Sequence, residues 1–170
     1  MSANIDRYLS TLLSFTPGPS RSKRVGEVYA SLIHIPVTGP EKVYSVVFGE
    51  DANLFTVARY QETIWESMQA GKGTALLEEP PEVNVLRVEV EGEHPVFDVL
   101  DASLLKQCEN RSDGGPGLDY YMLMWQKSGC ASVAECWEPY GRNDEAWTSL
   151  VGAMEVLSSQ YEYAVANSEL

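Results

Sequence analysis

The chain has 170 residues, 44% hydrophobic and 10% aromatic, which suits one domain with a real core and is too apolar for a disordered tract. Twelve basic against 25 acidic residues leave a net charge of −13. That charge repels nucleic-acid phosphates and anionic membrane surfaces and favours cationic partners.

In chain order, residues 1–15 read as an amphipathic helix. Ile5, Tyr8, Leu9, Leu12 and Leu13 follow helical spacing, Ser2 or Asn4 can cap it, and Pro17-Gly18-Pro19 stops it. The same stretch lacks the basic start and cleavage site of a signal peptide, and no run approaches the ~20 apolar residues of a membrane span, so a cytoplasmic protein is expected. Arg21, Lys23 and Arg24 form the densest basic run and read as a solvated linker. A strand meander is expected over 28–60: Val28–Ile35, Val43–Phe48 and Leu54–Tyr60, joined by short loops at Thr38-Gly39-Pro40 and Gly49–Asn53. The first strand is apolar on both faces, which predicts a central, covered position.

Gln61–Ala70 reads as a short helix stopped at Gly71, and the Glu-Glu-Pro-Pro run at 78–81 marks a rigid boundary. Val83–Glu91 alternates cleanly. Leu86, Val88 and Val90 point one way, while Arg87, Glu89 and Glu91 point the other, to water. Asp101 can cap a short helix through Leu104, Leu105 and Cys108, and Arg111–Gly117 reads as the most flexible loop. Tyr120–Trp125 and Ala131–Trp137 form a hairpin within 120–137, ended by Glu138-Pro139-Tyr140-Gly141. A helix over 143–163, capped by Asn143 or Asp144, carries Trp147, Leu150, Val151, Met154, Leu157 and Tyr161 on one stripe. The expected fold is a single α+β domain, 1–170, with an antiparallel sheet of about six strands packed by N- and C-terminal helices.

The chemistry-bearing patterns mostly resolve into structural ones. Gly71-Lys72-Gly73-Thr74 lacks the glycine spacing and strand context of a phosphate loop and reads as a helix-end turn. His94, among Glu91, Glu93, Asp98 and Asp101, reads as part of a solvated turn, and His34 as a satisfied sheet histidine. Cys108, Cys130 and Cys136 lack metal-ligand spacing and read as free thiols, so neither metal nor cofactor is expected. No Gly-x-Ser-x-Gly or comparable nucleophile motif occurs, which points away from catalysis by a standard nucleophile.

Two surfaces remain. Between Glu78 and Asp101 eight carboxylates face one Arg87, making Glu78, Glu79, Glu82, Glu89, Glu91 and Glu93 candidate partner contacts, with Tyr121, Trp125 and Trp137 of the hairpin as aromatic candidates beside them. In the hairpin, Tyr121, Leu123 and Trp125 share one face and Tyr120, Met122 and Met124 the other. Only one face can lie under the last helix, so the second either meets another layer or is a binding patch.

The run Tyr121-Met122-Leu123, Gly129, Cys136-Trp137-Glu138-Pro139, followed by Trp147 and Leu150 on a helix, resembles the C-terminal hairpin, Trp-x-Pro corner and closing helix of small bacterial immunity-like or uncharacterised proteins. The resemblance covers about the last 55 residues and brings no active-site residues with it. Three readings follow. The first is an acidic protein-binding module, most sharply an immunity protein neutralising a basic toxin. The second is a small-ligand binder or enzyme with a pocket near Tyr121, Trp125 and Trp137, carboxylates supplying its polar groups. The third is a homo-oligomer that uses the second hairpin face.

Overall fold

A computed structural model of the protein describes residues 2–14, 28–49, 52–64, 82–91, 95–100, 102–111, 113–115, 117–127, 130–141 and 144–168. The strands are β1 (Val28–Ile35), β2 (Lys42–Phe48), β3 (Ala52–Tyr60), β4 (Val83–Glu91), β5 (Tyr120–Lys127) and β6 (Cys130–Trp137). The helices are α1 (Ser2–Leu13), α2 (Pro95–Val99), α3 (Ala102–Gln107) and α4 (Glu145–Ser168). The fold is α+β: one six-stranded antiparallel sheet in the order β4-β3-β2-β1-β5-β6, with helices at both ends of the chain.

β1 lies inside the sheet, between β2 and β5, and Tyr29 through His34 are all buried. This is what its two-sided apolar sequence requires, because a strand covered on both faces has no wet side for polar alternation. Register sorts the remaining side chains. Ala30, Leu32, Tyr44, Val46, Phe55, Val57, Tyr121 and Leu123 are buried on one face, here face A, beneath α4. Ile33, Val43, Ala58 and Tyr60 lie on the opposite face, B, with Tyr8 and Leu12 of α1 packed among them. On β4, Leu86, Val88 and Val90 join the face-A core, while Val85, Arg87 and Glu89 are exposed.

α4 owes its position to its stripe: Trp147, Leu150, Val151, Met154 and Leu157 are each 0% exposed. Full burial of such side chains contributes about 1.5–3 kcal/mol each. The Trp147 indole N–H donates to the Glu109 carbonyl at 2.9 Å, so the ring is buried without stranding its polar atom. Asp144 caps the helix: its carboxylate accepts from the Trp147 N–H at 3.3 Å and its carbonyl from the Thr148 N–H at 2.9 Å.

Sequence and structure differ in detail. α1 ends at Leu13 and α4 runs on to Ser168, beyond the expected 163. β2 and β3 start one and two residues early, and α2 was not foreseen. The expected helix at 61–70 does not begin at Gln61: residues 61–63 are non-helical, Ile64 is helical, and the rest lies outside the described residues. The Gly71–Thr74 turn, His94, Asp101 and residues 128–129 lie outside the described residues, while Lys127, expected in the hairpin turn with them, belongs to β5. No described helix is long and apolar enough to cross a membrane.

Candidate functional site

The hairpin has two different faces. Tyr121 pairs with Cys136 in register and lies 2% exposed in the face-A core, with Trp125 half-buried against that core. Trp137 pairs with Tyr120 and therefore points to face B. A pocket joining Tyr121, Trp125 and Trp137 does not form, because a one-residue offset along a strand moves a side chain to the other side of the sheet.

Face B of the hairpin instead floors an apolar groove of about 570 Å³. Tyr120 and Met122 of β5 and Glu135 and Trp137 of β6 line it together with Ile35, where β1 ends. Tyr8 and Leu9 of α1 form one wall, and Pro36, Val37, Gly117 and Leu118 form the rim. The rim is apolar and wet: Val37 is 52% and Leu118 36% exposed. Val133, on the same face of β6, is also exposed. The second hairpin face is thus neither covered by a full layer nor flat.

Glycines shape this corner. A Cβ at Gly114 would overlap Cβ and Cγ of Trp137, so the loop backbone packs directly on the tryptophan side chain. Gly117, on the rim, holds φ at 94°, a left-handed conformation that glycine adopts without strain. The glycine-rich run that read as flexible loop supplies a close approach and a turn. The Tyr120 and Trp137 rings lie 4.8 Å apart, tilted by 56°. Burial first, and then the neighbouring Glu135 carboxylate, hold the Tyr120 phenol well above its ordinary pKa, so it remains protonated.

Two carboxylates anchor the groove from behind. Glu41 is 0% exposed and accepts from the Tyr8 hydroxyl at 2.8 Å and the Ile64 N–H at 2.9 Å, pinning the α1 wall. Asp119 accepts from the rim N–H of Val37 at 2.8 Å, and its other oxygen lies 3.2 Å from Nε2 of His34. The Glu138 N–H donates to the Asp119 carbonyl at 2.9 Å, tying the end of β6 to the start of β5. Asp119 therefore links the groove rim to the buried His34 on face A. Nothing in the sequence marked Glu41 or Asp119: each is one acid among 25, set apart only by burial or by partners distant along the chain.

His34 is 7% exposed and stacks on Tyr121 with ring centroids 4.3 Å apart and planes within 4°. Its Nδ1 is buried with no hydrogen-bond partner, so the expectation of a satisfied histidine holds for one nitrogen only. Burial lowers its pKa, against the opposing pull of Asp119. The pair has the His–Asp half of a catalytic triad without a hydroxyl or thiol bonded to the second nitrogen. Two of the three thiols offer no substitute. Cys108 and Cys136 are buried, and burial pushes the Cys108 thiol up to about 12, far from the thiolate that nucleophilic chemistry uses. Among the described residues, no group of three or more histidine, cysteine or acidic side chains is placed to hold a metal.

The acidic candidates lie elsewhere. β4 is the edge strand opposite β6, five inter-strand spacings away, or about 24 Å along the sheet. Glu82 and Glu89 are exposed there, with Arg87 sharing the face of Glu89. Glu91 is placed on the same strand, and Glu78, Glu79 and Glu93 lie outside the described residues. No protein-family model, curated protein or solved structure matches this chain.

Proposed function

We propose that the chain is a protein-binding module that seats an apolar part of a partner in the face-B groove. In its sharpest form it is a bacterial immunity protein that binds and occludes a basic toxin. The observation that supports this reading is the groove itself: an apolar hollow of about 570 Å³ with an exposed rim of Val37 and Leu118, on a chain of net charge −13. Exposed apolar surface of this kind costs solubility and is most simply explained by a partner that covers it. The net charge adds long-range attraction for a basic protein and faster encounter at low salt.

The test is co-expression with the product of the adjacent reading frame, followed by co-purification at low and high salt. Binding that is lost in a Val37→Asp/Leu118→Asp variant of unchanged melting temperature supports the proposal. Equal binding by wild type and variant, or no binding at low salt, overturns it.

A second reading has its own support. A hollow of this volume, whose described lining is apolar with one carboxylate and two phenols, also has the size and composition of a small-molecule site. A metabolite that raises the melting temperature of the wild type, but not of a Met122→Trp variant, would favour it.

A further inference from the structure

Among the described residues lining the groove, Glu135 is the one charged side chain. It is half-buried, and its carboxylate has no ion-pair partner among the described residues. Arg111 is brought close by its backbone, which bridges to Cys136. Its guanidinium is already held, through Nε by Asp144 at 3.0 Å and through Nη1 by Glu109 at 3.1 Å. Arg7, the neighbour of Tyr8 on α1, is not part of the groove lining. The carboxylate is hydrogen-bonded by the neighbouring Tyr120 hydroxyl but has no cation beside it, and a cationic group brought by a ligand adds a charge-assisted pair there.

The backbone at the same position decides how such a ligand can enter. An edge strand ordinarily offers free N–H and C=O groups to a pairing strand. At Glu135 both are taken: its N–H donates to the Asn110 side-chain oxygen at 2.9 Å, and its carbonyl accepts from the Arg111 N–H at 2.6 Å. Strand addition beside Glu135 is therefore blocked, while the side-chain face stays accessible.

From charge complementarity and this closed edge we infer that the groove takes a basic, apolar segment of the partner, presented by a helix or loop. An apolar side chain sits against Leu9, Met122 and Trp137, and a lysine or arginine head pairs with Glu135. This inference rests on the groove being the docking surface.

The probes are n-octylguanidinium, n-octanol and octanoate, which share one chain length and differ in charge. Each is titrated below its aggregation limit into the full chain, following the Met122 methyl and Trp137 indole resonances. The expected order is cation, alcohol, anion, with the cation about tenfold tighter than the anion. Glu135→Gln should bring that ratio to within about threefold. Glu89→Gln, the same change of charge on the opposite edge, should leave it intact. An anion bound as well as the cation, or a preference unchanged in Glu135→Gln, overturns the inference while leaving the groove as a site. If no probe moves either resonance, the groove reading itself falls, and the inference with it.

Discussion

Replacing Glu41 by alanine tests how the groove is held. The substitution removes the acceptor of the Tyr8 hydroxyl and of the Ile64 N–H, at a position that is 0% exposed. Each buried donor that loses this acceptor costs about 1–3 kcal/mol, so the loss is about 4 kcal/mol for the pair. With a urea dependence of about 2 kcal/mol per molar, the unfolding midpoint should fall by about 2 M. That is a large part of the 5–15 kcal/mol typical of a domain. Tyr8→Phe is the milder companion. It removes a single bond to a charged acceptor, about 1.5–3 kcal/mol, and should lower the midpoint by about 1 M. In the double variant the two losses should fall short of adding by at least about 1 kcal/mol, because they share one bond. Tryptophan-monitored urea unfolding of the four proteins measures all of this. A Glu41→Ala midpoint within about 0.3 M of wild type would refute the buried-carboxylate argument, and strict additivity would refute the pairing with Tyr8.

Three further outcomes follow from other sites. Burial lowers the His34 pKa below its ordinary 6.5, so as pH falls through 6.5 the unfolded chain takes up this proton first and native stability drops. Relative to His34→Gln, wild type should lose urea stability between pH 7 and 5, and parallel profiles would contradict the sign. Gly114→Ala places a methyl where Trp137 already stands, which should cost about 1–3 kcal/mol and shift tryptophan emission; unchanged stability would count against the close packing. An aromatic disulfide reagent should titrate at most one thiol of the native chain, since Cys108 and Cys136 are buried, and all three in denaturant. Rapid reaction of a second thiol in the native protein would contradict their burial.

The parts legible in the sequence are those set by local periodicity. The two-sided apolar run of β1, the alternation of β4 and the stripe of α4 each carry their burial pattern in their own residues, and each forms where expected. Long-range placement was not legible. The sequence tells that Tyr121 and Trp125 share a face, but Trp137 can be placed only once the pairing of Tyr120 with Trp137 is known. Likewise the acid-rich strand and the aromatic hairpin look equally available as surfaces, and only the strand order shows them at opposite edges. Glu41 illustrates a different limit. It stands in a polar turn after Gly39-Pro40, and its burial arises from Tyr8 and Ile64, 33 and 23 positions away.

The position of β1 between β2 and β5 also bears on how the chain is made. β1 meets β2 soon after it is synthesised, but its β5 partners stand 85 to 99 positions later. Until residue 127 has left the ribosome, the other side of Val-Tyr-Ala-Ser-Leu-Ile-His-Ile is an open, apolar strand edge. The nascent protein therefore passes from β1 to β5 with its future centre acting as a rim, the interval in which mispairing with another chain is easiest and a holding chaperone has most to do.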